Sequence, residues 1–178
     1  MCFNFTCNLH DYFSFVNSYR ATEQEAYELL KKLDISFQKV DHPAITSVKN
    51  VPFSLPGPQV KNLLLKSRKG KKIYLVILPD EKHADLKQLA EQLKEKRLSF
   101  VSEEQLPDLL GVPAGTVTPL ALMHDKEKKI QVVIDAAIDR QDTVGFHPNI
   151  NTTTLIMDFS DFEKILVYLE HLPVYENL

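Results

Sequence analysis

Apolar residues recur at helical spacing in four stretches of this chain, with shorter runs of strand character between them. Ala26, Leu29, Leu30 and Leu33 lie on one helical face. Thr22-Glu23-Gln24-Glu25 precedes them as a capping box, in which a threonine side chain covers free N–H groups and Glu25 reaches back. Asp85 can open a second helix, with Leu86, Leu89, Ala90 and Leu93 on its face. Ser102 to Gln105 reads as a second capping box before Leu106, Leu109 and Leu110, with Pro107 in the first turn. Ser160 to Glu163 reads as a third, starting a final helix with Phe162, Ile165, Leu166 and Leu169 on its face. Strands are expected over 36–41, 60–66, 72–78, 98–101, 120–124, 130–134, 143–146 and 152–157. Residues 67–71 contain Gly70 and join two of these as a hairpin. Residues 44–59, rich in proline, read as irregular.

Helices at both ends and in the middle, with hairpins between, predict an α+β fold. The expected architecture is a single domain with a mixed, mostly antiparallel sheet flanked by helices and one core over 22–173. At 178 residues and 44% apolar, the chain is long enough for that core. Residues 1–20 are expected to be a poorly ordered N-terminal extension, and 21–178 the domain. The extension lacks a basic start, which argues against a signal peptide. Both cysteines, Cys2 and Cys7, fall in it. With His10 they make three potential zinc ligands and no fourth, so no metal site is assigned. The cysteine placement favours a cytoplasmic address.

The net charge of −3 conceals an uneven distribution. Lys61, Lys66, Arg68, Lys69, Lys71 and Lys72 follow one another with no acid among them, most of them at the hairpin turn. Residues 111–119 hold two glycines and two prolines, so the loop keeps a defined shape and can offer backbone N–H groups to a ligand. A substrate could approach the main chain at Gly115, which has no Cβ. Lys61 shares a strand face with Leu63 and Leu65, either as a snorkelling side chain or as a fixed cation suited to phosphate. His147-Pro148, with Asn151 following, can hydrogen-bond a small polar ligand or simply brace a turn. His42 and His124 read as structural. Asp135, Asp139 and Asp142 show no metal-ligand pattern, and no phosphate-binding or nucleophile-elbow motif is present.

Three segments occur together in a telling order: Lys-Asn-Leu-Leu-Leu at 61–65, Gly-Thr-Val-Thr-Pro-Leu-Ala-Leu at 115–122, and Phe-His-Pro-Asn-Ile-Asn-Thr-Thr-Thr at 146–154. The chain resembles the YbaK/prolyl-tRNA synthetase-associated editing domain family over about 22–173, most closely its freestanding Ala-tRNA(Pro) deacylase branch. Leu64 stands where that pattern has an aromatic, and Thr153 where alanine is common.

The resemblance implies a trans-editing hydrolase that cleaves the aminoacyl ester of mischarged Ala-tRNA(Pro) at the 3′-terminal adenosine, without a cofactor. It implies catalytic roles for Lys61, holding the terminal nucleotide, and for Gly115 in the oxyanion loop. Asn62, Thr116, Val117, Thr118, Pro119, His147 and Asn151 become substrate-binding residues. Lys66, Arg68, Lys69 and Lys71 become candidate contacts to the tRNA(Pro) acceptor end. Prolyl-tRNA synthetase or an elongation factor would be passing partners; no membrane is implied. The competing readings are a Cys-tRNA(Pro) deacylase of the same fold, a noncatalytic tRNA-binding module, and an interaction protein using the basic hairpin.

Overall fold

The computed structural model describes residues 20–44 and 55–178. Expectations for residues 1–19, including Cys2, Cys7 and His10, lie outside the described residues. In chain order the elements are α1 (Glu23–Lys32), β1 (Gln38–Asp41), β2 (Val60–Ser67), β3 (Ile73–Pro79), α2 (Leu86–Gln92), β4 (Leu98–Phe100), α3 (Leu106–Leu110), β5 (Ile130–Asp135), β6 (Thr143–Phe146), β7 (Thr153–Asp158), α4 (Phe159–Tyr168) and β8 (Val174–Glu176). The α+β class holds, but the strands divide into two sheets: antiparallel β1-β7-β6 and mixed β4-β2-β3-β5-β8. β2 and β3 form the expected hairpin, with Lys61 opposite Leu78 and Lys66 opposite Ile73. β5 then lies parallel to β3, Ile73 beside Ile130, and β8 parallel to β5.

Alternation along the strands supplies both sides of the five-stranded sheet. Leu64, Leu75, Ile77, Val132 and Ile134 point into a main core shared with Val144, Phe146, Leu155 and Met157 of the other sheet and with α1 and α4. Leu65, Tyr74, Val76, Leu78 and Val133 point the other way, against Leu89 and Ala90 of α2. Burial on both faces explains why β3 is almost continuously apolar.

The helix starts test the three expected capping boxes. Thr22 forms one: Glu25 N–H donates to Thr22 Oγ1 at 3.2 Å, and Thr22 N–H donates to Glu25 Oε2 at 2.9 Å. Asp85 caps α2 by accepting from Lys87 N and Gln88 N at 2.8 and 3.2 Å. The other two boxes are corrected. Ser102 caps no backbone N–H and precedes a short 3₁₀ turn, Glu103–Gln105. α4 begins before Ser160, with Asp158 at its N-cap, because Phe159 N–H is tied to the Asp142 carbonyl at 3.1 Å. Residues 120–124 are a 3₁₀ helix, Pro119–His124, and not a strand. Leu120, Ala121 and Leu122 are all fully buried there, and a short apolar run of that kind has no periodicity to separate the two conformations.

Candidate functional site

Asn62 and Lys61 are neighbours at the start of β2, yet they reach in different directions. Alternation puts Asn62 on the side of Val60 and Leu64, which pack in the main core. Its Nδ2 donates to the Val117 carbonyl at 3.1 Å, tying β2 to the 111–119 loop. Asn62 Oδ1 is buried and accepts no hydrogen bond. Lys61 faces the other side, with Leu63, and its ammonium donates to the main-chain oxygens of Asp80, at 2.7 Å, and Lys82. It is therefore a fixed cation, and one of its three N–H groups remains for a ligand. Burial pushes the Asp80 carboxyl above the usual carboxylate range, and the nearby Lys61 charge opposes that rise. Lys82 in turn pairs with buried Asp135 at 2.7 Å, which anchors the 80–82 turn to the end of β5. Sequence reasoning missed Lys82, and it left Asp135 without a role.

The loop is shaped as its composition suggests. Gly111 ends α3 at φ +70, and a Cβ there would lie 2.9 Å from Ala21 N, so only glycine fits. Thr116 Oγ1 donates to the Pro113 carbonyl at 2.8 Å. Thr118 caps the following 3₁₀ helix through Leu120 N–H at 3.3 Å, with Pro119 in its first turn. Val117 is half-buried against the main core. Gly115 has φ +81, and a Cβ there would meet nothing within 4 Å, so the main chain is open on that side. Among the described residues, the Gly115 and Val117 N–H groups donate to no protein acceptor.

The 147–151 turn follows β6. His147 Nδ1 lies 2.8 Å from the Thr153 carbonyl; a carbonyl only accepts, so Nδ1 carries the proton and Nε2 presents a lone pair. Burial pushes the His147 pKa down, and neighbouring His42 adds to that. The two rings stand 5.8 Å apart. His42 is itself built in: Nδ1 is 2.9 Å from the Pro43 carbonyl, and Nε2 is 2.9 Å from Thr154 Oγ1. The signal that could have found it is a repeated dipeptide, His42-Pro43 and His147-Pro148.

The chain at 21–22 joins the loop to this turn. Ala21 N–H donates to the Gly111 carbonyl at 3.0 Å, and the Thr22 carbonyl accepts from Asn149 Nδ2 at 2.8 Å. Asn62, the loop and the His147 turn are thus linked through successive hydrogen bonds. Lys61 is bonded to the 80–82 turn and makes no direct bond to the loop. Asn151 is half-buried at the end of the His147 turn. Of the basic residues, Lys66 donates to Gln105 Oε1 at 2.6 Å, while Arg68, Lys69 and Lys71 are exposed at the hairpin turn. The loop offers unspent N–H groups over open backbone, which can stabilise charge on a carbonyl oxygen. The His147 turn is linked to it through residues 21–22, whereas Lys61, a fixed cation suited to phosphate, faces the other side of β2.

Residues 43–165 match the aminoacyl-tRNA editing domain family. The chain is similar to prolyl-tRNA editing protein ProX of Acetoanaerobium sticklandii, at 29% identity over 81% of this chain and 90% of that one. It is 34% identical to prolyl-tRNA synthetase associated domain-containing protein 1 of Xenopus laevis, over 85% of this chain and 94% of that one. It is 26% identical to the multifunctional Ser/Thr-tRNA deacylase ProXp-y of Escherichia coli K12, over 81% of this chain and 87% of that one. Its fold matches a crystal structure described as that of a trans-editing enzyme for prolyl tRNA synthetase, with a TM-score of 0.62 at 17% identity, covering 86% of this chain and 94% of that one.

Proposed function

The chain belongs to the aminoacyl-tRNA editing domain family and is an aminoacyl-tRNA hydrolase of the trans-editing kind; we propose that the ester it removes is the alanyl ester of tRNA(Pro). The observation that carries this reading is the open main chain at Gly115, with unspent N–H groups on a loop braced by Asn62.

In this reading the 3′-terminal nucleotide lies across the start of β2, and the free N–H of Lys61 holds its phosphate. The ester carbonyl sits over Gly115. Water attacks the carbonyl carbon, and the loop N–H groups stabilise the oxyanion in the tetrahedral intermediate. The C–O bond to the ribose breaks, and the ribose oxygen takes up the proton that the attacking water gives up as alanine leaves. An activated ester needs no covalent nucleophile, and the adjacent ribose hydroxyl can assist. Asn62 acts at one remove, its Nδ2 bracing the loop through the Val117 carbonyl. His147 and Asn151 line the side-chain end of the pocket, with Thr116, Thr118 and Pro119 holding the loop.

The physical need for such an enzyme is plain. A synthetase pocket sized for proline admits alanine, and a few methylenes discriminate by only about 1–3 kcal/mol. A second site that accepts alanine and excludes proline removes the error. The match to a Ser/Thr-tRNA deacylase favours serine as the nearest competitor. Parallel deacylation assays with Ala-, Cys-, Ser- and Pro-tRNA(Pro) test the proposal. The alanyl ester should be lost fastest and the prolyl ester untouched; faster loss of the seryl or cysteinyl ester would overturn the alanine assignment. Failure to accelerate loss of any of them would leave a noncatalytic tRNA-binding module.

A further inference from the structure

Parallel pairing of β3 and β5 has a consequence at the end of the sheet away from Gly115. Because Ile73 lies beside Ile130, the turns that lead into these two strands stand side by side. One is the 67–72 turn, with Arg68, Lys69, Lys71 and Lys72. The other, residues 125–129, brings Lys126, Lys128 and Lys129. A cleft of about 530 Å³ runs between them, with Lys71, Lys72, Lys128 and Lys129 along its sides and His171 in its lining.

Acids are present, but they do not close the cleft. Lys72 pairs with Glu95 at 2.9 Å, Lys128 with Glu170 at 3.7 Å, and Lys129 with Glu127. Lys72 and Lys129 remain 64% and 60% exposed in these pairs. The Lys129–Glu127 pair is exposed on both sides and worth at most about 1 kcal/mol, so Lys129 can exchange its carboxylate for a phosphate. Arg68, Lys69 and Lys71 have no ion pair among the described residues. Lys128 is partly fixed, its Nζ donating to the Leu169 carbonyl at 2.6 Å.

We propose that this two-turn lysine cleft is a second binding site, which holds the phosphodiester backbone of the RNA stem that carries the aminoacyl ester. The proposal rests on the tRNA-hydrolase reading above and adds a location to it. The distance is suitable. β2 runs from Lys61 to the basic turn, and six strand steps of about 3.3 Å place the cleft roughly 20 Å from the start of the strand. A single-stranded 3′ end can cover that gap while the stem lies on the lysines. Contact through phosphates reads no sequence; it supplies affinity and orientation.

The test is a Lys71→Glu/Lys129→Glu double variant, which leaves the Lys128 bond intact, with Lys164→Glu on α4 as the control. Two substrates are compared: full-length Ala-tRNA(Pro) and the alanyl ester of a CCA trinucleotide. Binding of deacylated tRNA(Pro) is titrated separately across salt concentrations. The double variant should raise KM for the full-length substrate at least tenfold at low salt and leave the trinucleotide ester unaffected. Its log–log salt slope for tRNA binding should be shallower by roughly one to two, at about 0.9 per neutralised phosphate. Unchanged tRNA affinity and slope would overturn the cleft, as would an equal loss in Lys164→Glu. If the unaltered protein hydrolyses neither ester, the hydrolase reading fails, while the tRNA titration still decides whether the cleft binds RNA.

Discussion

Lys61 carries three N–H groups and gives two of them to peptide carbonyls. Two neutral oxygens hold an ammonium in place without cancelling its charge, which a carboxylate partner would do. Lys61→Ala should lower kcat/KM on Ala-tRNA(Pro) by roughly 100-fold, near 2.7 kcal/mol at 1.36 per decade. An unchanged circular-dichroism spectrum and melting point would show that the loss is chemical. Gly115→Ala separates backbone from side chain. The left-handed conformation should cost about 1–2 kcal/mol of stability, read from the melting temperature. Deacylation should fall further than stability does, because the new methyl group enters the space assigned to the ester.

His147 predicts a pH effect. Its folded pKa lies below the ordinary value because the ring is buried. Above about pH 6.5 the ring is neutral in both folded and unfolded chains and adds no pH dependence. As pH falls through and below that value the unfolded chain takes up a proton first, so stability is lost until the folded ring protonates too. Melting temperatures between pH 5 and 7.5 should slope less steeply in His147→Gln. Much of this residue-scale picture could be read in advance, because Gly, Pro and His announce special backbone or chemistry. Lys82 could not, because it acquires its role from Asp135, a partner distant in the chain.

Among the elements, α1 has an effect out of proportion to its length. The two residues that lead into it hold the glycine loop through Ala21 and the His147 turn through Thr22, its N-cap. Thr22→Ala removes the capping box and should cost about 1 kcal/mol. Loosening both loops at once, it should also reduce kcat/KM several-fold, with Thr22→Ser restoring both. Were the melting point to drop with activity intact, the helix start would matter to folding alone. The capping box was visible in the sequence because Thr and Glu at that spacing have a direct local consequence. Residues 120–124 were not, since Leu-Ala-Leu is buried in either a strand or a 3₁₀ turn. Ser102 and Ser160 show the reverse case: Ser102 stands at the N-cap of a 3₁₀ turn without bonding its N–H groups, and the last helix starts two residues ahead of the Ser160 signal, at Asp158.

For the whole molecule, the α+β class followed from the spacing of helices and hairpins, but the division into two sheets did not. Nothing local in β5 says that it will lie parallel to β3, because that pairing depends on burial from both faces. Nor does the run of basic residues after Lys61 reveal that a second basic turn will join it.

That registration has a cost in time. The β2–β3 hairpin closes over a few residues, whereas residue 73 must wait for residue 130 to arrive. Closing so long a segment is slow relative to a local turn. In pulsed hydrogen exchange during refolding, amides of β2 and β3 facing each other should gain protection before those of β5. If β5 is protected simultaneously, assembly is concerted. In the ordered case a newly made chain passes through an interval in which its hairpin exists while its two cationic turns are still apart, so the capacity to grip RNA would emerge as a late event in maturation.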